Sequence, residues 1–162
     1  MKHTADICDM NEQLVASGKL KILPPIFKSY AKKKFISGEI LTVKAIEDNS
    51  LVRSTLELPG NKRILIIDGA GSYRCALLGG ALAKLAEKNK WEGVIVFGCV
   101  RDSFEVKECD VGVWALATHP KRSKKAGAGI IGEAIEIHGT QIKSGEFCIA
   151  DMDGILVSAE EL

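Results

Sequence analysis

Two side chains that can bind an acid and a cation stand next to each other in this chain, Arg101 and Asp102. They follow the apolar run Val94–Gly98, which predicts a buried strand. Open α/β sheets bind ligands at the carboxyl ends of their strands, which is where this pair would lie. An arginine there can pair with a carboxylate through two hydrogen bonds, and an aspartate can hold a divalent metal ion. An ordinary surface ion pair has the same residues and is the more common case, and the position alone does not overturn that interpretation.

A second candidate is the stretch Gly79, Gly80, Ala81 and Leu82. A glycine within a helix costs about 1 kcal/mol relative to alanine. One explanation is a helix that begins near Gly79, which leaves the amides of this stretch free to bind a carboxylate. The other is close packing of the helix against a neighbouring strand, which glycine also permits. The pattern does not decide between them.

Nucleotide-binding motifs are incomplete. Gly69 and Gly71 follow a strand as in a dinucleotide-binding loop, but Arg74 occupies the third glycine position. No acidic residue follows the second strand at the expected distance, and no Gly-Lys-Ser/Thr sequence occurs. The sequence therefore does not favour a nucleotide site.

The pattern of strands and helices around these residues predicts one domain over residues 1–162, of mixed α/β class. A strand over 63–68, a glycine-rich turn, a helix over 76–88 and the strand 94–98 predict one βαβ unit with a right-handed crossover. The glycine-punctuated last third predicts antiparallel hairpins. The other predicted elements are a helix over 4–17, an extended connector over 20–26, one or two strands within 35–46, a helix over 49–58, and strands at 113–118, 134–138, 140–143, 147–150 and 155–157.

Composition excludes several classes. The 162 residues are 46% hydrophobic and 27% charged, and 22 Lys+Arg against 21 Asp+Glu give a net charge of +1, which argues against binding nucleic acid through bulk charge. No segment approaches the ~20 apolar residues of a membrane span, and no secretory signal is visible. The five cysteines form no CxxC pair. We expect reduced thiols and a cytoplasmic protein.

Five spaced motifs resemble those of one family, the 4-hydroxy-4-methyl-2-oxoglutarate aldolases and regulators of ribonuclease E activity A. The similarity runs from about Ala5 to Val157. The motifs are Asp68-Gly-Ala-Gly-Ser-Tyr-Arg74-Cys-Ala-Leu-Leu-Gly79-Gly, Trp91-Glu-Gly-Val-Ile-Val-Phe-Gly98-Cys-Val-Arg101-Asp102, Asp110-Val-Gly-Val, Thr118-His-Pro-Lys and Ile149-Ala-Asp151-Met-Asp153-Gly154-Ile-Leu-Val.

The resemblance implies a swivelling β/β/α domain that assembles as a ring-shaped homotrimer or as a hexamer of two trimers. It further implies a small 2-oxo acid substrate, pyruvate or a pyruvoyl compound, bound at the subunit boundary. The family's substrate-binding amides match Gly79, Gly80, Ala81 and Leu82. Its substrate-binding arginine matches Arg101, and its metal-anchoring aspartate matches Asp102.

The sequence departs from the family pattern at Gly80. Aldolase members carry an acidic residue, twenty further positions and then Arg-Asp, and counting back from Arg101 places that acid at Gly80. Asp102 is retained, and the regulator branch typically lacks it, so this chain resembles the enzymes more. A further acid of the family, donated by a neighbouring subunit, matches Glu160 or Glu161 too loosely to assign.

The implied activity is retro-aldol cleavage of a 4-hydroxy-2-oxo acid to pyruvate, with decarboxylation of oxaloacetate as a side activity. Both leave charge on a pyruvate enolate, which needs an electrophile. The lysines Lys84 and Lys88 lie later on the predicted helix, so we expect a divalent cation, Mg²⁺ or Mn²⁺, held by Asp102.

The competing hypothesis is a non-catalytic regulator that binds and inhibits a ribonuclease. The cluster of Lys121, Arg122, Lys124 and Lys125 could contact RNA or an acidic partner. It has no interleaved aromatic residues for base stacking, which favours a solvated loop. We expect none of His3, His119 and His138 to be a ligand.

Overall fold

A computed structural model describes residues 2–162. Five helices are described: α1 (Thr4–Met10), α2 (Glu12–Ala16), α3 (Ser50–Leu56), α4 (Gly80–Lys88) and α5 (Ser103–Val106). Twelve strands accompany them: β1 (Leu20–Ile22), β2 (Lys28–Ser29), β3 (Ile36–Lys44), β4 (Ile64–Asp68), β5 (Ala76–Leu78), β6 (Gly93–Val100), β7 (Gly112–Thr118), β8 (Ile130–Ile131), β9 (Ile135–Ile137), β10 (Thr140–Ile142), β11 (Phe147–Ala150) and β12 (Ile155–Ser158). No helix among these residues has the length and apolar character needed to cross a membrane.

One mixed sheet organises the molecule, with the strand order β1-β12-β11-β3-β4-β6-β7-β2. β3 joins its two halves: Ile36–Glu39 pair antiparallel with β11, and Ile40–Lys44 pair parallel with β4. The predicted βαβ unit is present as β4, α4 and β6. Further parallel crossovers flank it, through α3 before β4 and through α5 before β7. The mixed α/β class is confirmed.

The sheet lies between a helical layer and a β-hairpin. All five residues of β4 are buried, as its unbroken aliphatic run predicts. Leu65 and Ile67 join the cluster formed with α3, α4 and α5, whereas Ile64 and Ile66 join the cluster formed with the β9–β10 hairpin. Successive side chains of a strand point to opposite faces, so this one strand supports both layers.

The helix predicted over 76–88 was wrong in its first turn. Ala76–Leu78 form β5, which pairs with the end of β6, and the helix begins at Gly80. Leu77 and Leu78 are fully buried. Their burial fits a helix or a strand equally well, and long-range pairing with β6 decides between them. The helix predicted over 4–17 is likewise interrupted, at Asn11.

The carboxyl ends of the parallel strands collect polar residues at one edge of the sheet. Asp48 follows β3, Asp68 ends β4, Arg101 and Asp102 follow β6, and His119 follows β7. We call this the carboxyl edge. It is the side on which an open α/β sheet binds its ligands.

Asp48 fastens the loop before β8 to the start of α3. This buried carboxylate accepts hydrogen bonds from the amide and the hydroxyl of Ser50, at 2.9 and 2.6 Å, and from the amide of Ala126 at 2.7 Å. These donors, with the more distant amide of Ala128, lower the pKa of Asp48 to about 2. Asp48 therefore holds the loop over the carboxyl edge.

Replacing Asp48 by Asn is expected to lower the free energy of unfolding by about 1–3 kcal/mol, because one of its two acceptor oxygens becomes a donor that faces N–H groups. The depressed pKa of Asp48 makes its contribution complete above pH 4 and lost as the pH falls towards 2. Urea unfolding between pH 2 and 7 checks both effects. Asp9→Asn, at an exposed position of α1, is the matched control and should leave the unfolding curve unchanged.

Candidate functional site

Arg101 and Asp102 lie where β6 ends and α5 begins. The Arg101 amide donates to the Leu78 carbonyl at 2.9 Å, which ties this turn to the end of β5. Asp102 adopts a left-handed backbone conformation, with φ 54°, which aspartate tolerates better than most residues. Arg101 Nε and Asp102 Oδ2 are 3.9 Å apart, and both side chains are 39% exposed. Both groups therefore remain accessible to a ligand.

The glycine pair brings α4 against these two side chains. The Gly80 amide donates to Asp102 Oδ2 at 3.0 Å. A Cβ atom on Gly79 would lie 2.6 Å from that same oxygen and 3.2 Å from Arg101 Cγ. A side chain at position 79 would therefore have to displace the Asp102 carboxylate from its present place. The helix begins at Gly80, which agrees with the first explanation above and places the close contact at the site.

The amides of the first turn of α4 are not all available to a ligand. Asp102 already occupies the Gly80 amide. The amides of Ala81 and Leu82 belong to the same first turn, in which N–H groups have no acceptor within the helix. The structure therefore brings this turn beside Arg101 and Asp102, with Asp102 bound directly to it.

A depression of about 280 Å³ opens at the carboxyl edge beside the pair. Such a volume lies just below the range of typical ligand pockets, about 300–1,000 Å³, and suits a small acid. Its lining adds residues that sequence reasoning missed as site residues, and it contains no lysine. The lining residues are Arg101, Asp102, Ser103, Phe104, Thr118, His119 and Pro120.

His119 is one of the missed residues. It follows β7, the strand next to β6, and its Nδ1 accepts a hydrogen bond from the Lys121 amide at 3.1 Å. That bond leaves Nε2 as the nitrogen that can face a ligand. The predicted strand 113–118 already placed His119 at a carboxyl end beside Arg101, and this was the signal available in the sequence.

The other candidates lie elsewhere. Lys84 Nζ pairs with Glu105 Oε2 at 3.0 Å and does not line the depression. His3 contacts Asp151 at the far end of β11, and His138 packs against Phe97. Glu160 and Glu161 do not line the depression either. Of the predicted site residues, Arg101 and Asp102 line it, whereas Gly79, Gly80, Ala81 and Leu82 lie behind them and do not.

Asp102 fits one mode of holding a divalent cation. The part of the chain from residue 2 to 162 contains no group of three His, Cys, Asp or Glu side chains arranged for a metal, so a cage of protein ligands is absent there. Mg²⁺ is commonly held by one or two carboxylates, with water and substrate completing its shell. The exposed Asp102 carboxylate beside an open depression meets that requirement.

A larger cavity, of about 820 Å³, lies near the amino ends of β3 and β6 and is lined in part by Phe35, Glu92 and Asp151. The Asp151 carboxylate accepts hydrogen bonds from the Thr4 amide at 2.8 Å and from the Thr4 hydroxyl at 2.7 Å. These bonds dock α1 onto the sheet. Asp151 therefore has a structural role, and Glu92 is paired with Lys33 at 3.1 Å. The cavity lies opposite the carboxyl edge.

Comparison with known protein families identifies the family of this chain. The sequence model of the RraA-like family, described as Aldolase/RraA, matches residues 4–157. The chain belongs to this family, and the resemblance seen in the sequence is confirmed.

Relatives within the family carry different names. A Paraburkholderia phymatum protein with the provisional name 4-hydroxy-4-methyl-2-oxoglutarate aldolase is 49% identical over 159 residues, which cover 98% of this chain and 97% of that protein. A solved structure of the RNA-processing inhibitor RraA from Thermus thermophilis has a TM-score of 0.93 at 38% identity, covering 100% of this chain and 95% of that one. A Geobacillus kaustophilus structure described as S-adenosylmethionine:2-dimethylmenaquinone methyltransferase has a TM-score of 0.91 at 41% identity, with coverage of 100% and 97%.

Proposed function

We propose that the protein is a divalent-metal-dependent aldolase that cleaves substrates of the 4-hydroxy-4-methyl-2-oxoglutarate type to pyruvate. The observation that carries the proposal is the pair Arg101 and Asp102, packed against the first turn of α4 at the carboxyl edge. The name of the relative that is 49% identical supports the same activity. Decarboxylation of oxaloacetate is proposed as a side activity.

The reaction requires stabilisation of negative charge. In the retro-aldol step the 4-hydroxyl loses its proton, the bond between C3 and C4 breaks, and its electron pair becomes the enolate of pyruvate. Protonation at C3 then gives pyruvate, and C4 is released as a carbonyl. Mg²⁺ or Mn²⁺ bound at this site would supply the Lewis acid that stabilises the 2-oxo enolate.

The residues of the chain have separate roles in this proposal. Arg101 binds the substrate carboxylate and stabilises charge on the 2-oxo group, since its planar fork matches two oxygens at once. The amides of Ala81 and Leu82 bind the opposite side of the pyruvoyl unit through the first turn of α4. Asp102 holds the cation, and the Gly80 amide orients its carboxylate.

Oxaloacetate is the second substrate because its decarboxylation gives the same intermediate. Loss of carbon dioxide from the carbon next to the 2-oxo group leaves its electron pair on the enolate of pyruvate. A site that stabilises this enolate after carbon–carbon cleavage serves both reactions.

The assembly proposed is a homotrimer or a hexamer of two trimers. The strongly exposed rings of Phe104, in the depression, and of Tyr73 support a partner surface near the carboxyl edge.

Treatment of the protein with borohydride in the presence of pyruvate is expected to leave it unmodified, because the proposed reaction forms no imine. The depression has no lysine in its lining, so no Schiff base should form and the protein mass should stay unchanged. Intact-mass spectrometry makes the measurement, with a known lysine aldolase as the positive control. A pyruvyl adduct on a lysine would overturn the proposed chemistry.

A regulator remains the second candidate because the RraA structure at 38% identity is described as an RNA-processing inhibitor. The exposed Lys121, Arg122, Lys124 and Lys125 offer a basic surface for such a partner. Inhibition of a ribonuclease E preparation, measured beside pyruvate release from oxaloacetate, separates the two functions. The aldolase proposal expects pyruvate release that does not depend on the ribonuclease.

A further inference from the structure

His119 lies beside Arg101 at the carboxyl edge, on the neighbouring strand. Val100 at the end of β6 pairs with Thr118 at the end of β7, and Arg101 and His119 are the residues that follow. The His119 amide donates to the Val100 carbonyl at 2.9 Å, so the sheet fixes its backbone. Adjacent strands lie about 4.8 Å apart, and the two side chains line one depression from its two strands.

A backbone amide fixes which ring nitrogen of His119 carries the proton. The Lys121 amide donates to Nδ1 at 3.1 Å, so Nδ1 presents its lone pair. The proton of the neutral ring is therefore on Nε2, which is a hydrogen-bond donor. In this arrangement Nε2 has no lone pair to accept a proton. His119 is therefore placed to bind an acceptor atom, and is not the base that deprotonates the 4-hydroxyl.

The proposed substrate has two carboxylates, and Arg101 binds the one next to the 2-oxo group. The second carboxylate is attached to C4, on the other side of the bond that breaks. The lining of the depression has two side chains with N–H donors, Arg101 and His119. Hydrogen bonds to a carboxylate are among the strongest in proteins. The half-buried ring of His119 is thus the remaining N–H donor for the second carboxylate.

The other polar side chains of the lining are less suited to this task. Ser103 and Thr118 are exposed, and a hydroxyl rotates to donate or to accept, so it does not distinguish a carboxylate from other groups. Asp102 carries a negative charge, which repels a second carboxylate. A donor whose direction is already fixed gains more from the contact, because less freedom is lost on binding.

We infer that His119 is the residue that selects for a second carboxylate on the substrate, by donating a hydrogen bond from Nε2 to the carboxylate on C4. The inference rests on the proposed function, because it assigns His119 a role towards the substrate of that reaction. The C4 carboxylate stays on its carbon throughout the cleavage, so the contact is the same before and in the transition state. Such uniform binding lowers KM and leaves kcat unchanged.

The test compares two aldol substrates that differ only at C4. 4-Hydroxy-4-methyl-2-oxoglutarate carries the second carboxylate, and 4-hydroxy-2-oxopentanoate has a hydrogen in its place. With Mg²⁺ present, the wild-type protein is expected to have a KM about tenfold lower for the dicarboxylate, which is the effect of one hydrogen bond to a charged group. Steady-state pyruvate release makes the measurement. Oxaloacetate is unsuited to it, because its second carboxylate is the group that leaves.

Two variants of His119 separate its two nitrogens. His119→Asn places its amide group where Nδ1 stands, so it can still accept from the Lys121 amide but lacks the donor that faces the depression. Its KM for the dicarboxylate should rise about tenfold relative to that for 4-hydroxy-2-oxopentanoate. His119→Gln reaches the place of Nε2 with an N–H donor, and should recover a large part of the preference.

His138→Asn is the matched control for the same chemical change. His138 is exposed and lies outside the depression. Its backbone has a φ of 46°, which asparagine tolerates. The preference for the dicarboxylate should be that of the wild type. Circular dichroism verifies that each variant is folded, and if His119→Asn is not, the wild-type ratio and His119→Gln decide.

The inference is wrong if the wild type releases pyruvate from both substrates without a preference in KM, or if His119→Asn keeps that preference. It is also wrong if His119→Asn lowers kcat for both substrates alike, because His119 would then not act on the second carboxylate. The proposed function survives each of these results. If the wild type releases pyruvate from neither substrate, the proposed function fails and the inference fails with it.

Discussion

Asp102→Asn is expected to lower kcat for pyruvate release from oxaloacetate by about 10²–10³-fold, the loss that follows removal of one well-placed electrostatic contact at a catalytic centre. Asparagine keeps the shape of the side chain and removes the charge that would hold the cation. It also tolerates the left-handed conformation found at residue 102, and its carbonyl oxygen can still accept the Gly80 amide. The loss should therefore persist at saturating substrate.

The controls for Asp102→Asn separate loss of charge from loss of structure. The melting temperature and the assembly seen by light scattering should match those of the wild type, because the carboxylate is partly exposed at a turn. Asp110→Asn changes an exposed aspartate in the loop between α5 and β7 and should retain the wild-type kcat. If Asp102→Asn turns over oxaloacetate at the wild-type rate with the same Mg²⁺ requirement, the site is misplaced and the regulator becomes the better proposal.

Arg101→Lys is expected to lower kcat/KM about 10–100-fold, with a large part of the loss in KM. Lysine keeps the positive charge but presents a single ammonium group in place of the planar fork that meets a carboxylate through two hydrogen bonds. Hydrogen bonds to charged groups contribute about 1.5–3 kcal/mol each, and about 1.4 kcal/mol corresponds to a factor of ten. Steady-state kinetics with oxaloacetate makes the measurement.

The matched control for Arg101→Lys is Arg122→Lys, which makes the same chemical change in the exposed basic segment. It should leave kcat and KM unchanged. Equal effects of both substitutions on KM would show that the loss is not specific to the site, and the assigned role of Arg101 would then be wrong.

The parts of the fold that the sequence predicted are those whose signal is local. The aliphatic run of β4 predicted a strand buried on both faces, and the glycine-bounded segments of the last third predicted β9 to β12. The strand formed by Ala76–Leu78 was not predicted because its pairing partner, the end of β6, is remote in the sequence. The two-residue strands β2 and β8 were not predicted for a different reason, because such short segments carry no periodicity of their own.

The candidate site was only partly predictable for a related reason. Arg101 and Asp102 could be found because they follow a recognisable strand, and Gly79 because two adjacent glycines are unusual near a helix. The position of the Glu105 carboxylate next to Gly80 could not be predicted, because no pattern in the sequence indicates that a side chain of α5 contacts the start of α4. Gly80 therefore read as a missing acid, whereas the structure shows an acid beside it.

The different names of the relatives illustrate why the site, and not the fold, must carry the functional argument. Structures with TM-scores of 0.93 and 0.91 are described as an RNA-processing inhibitor and as a methyltransferase. One fold can host unrelated functions, so overall similarity does not decide among them. The arrangement of Arg101, Asp102 and the first turn of α4 is specific enough to be tested directly.

Metal-dependent catalysis at Asp102 can be measured as pyruvate release from oxaloacetate by the wild-type protein, before and after removal of divalent cations by EDTA. Release should stop after chelation and return when Mg²⁺ or Mn²⁺ is added in excess, but it should not return in Asp102→Asn. Release that continues unchanged in EDTA would contradict metal-dependent chemistry at Asp102. If neither oxaloacetate nor 4-hydroxy-4-methyl-2-oxoglutarate gives pyruvate with either cation, the proposal that the protein is an aldolase is contradicted.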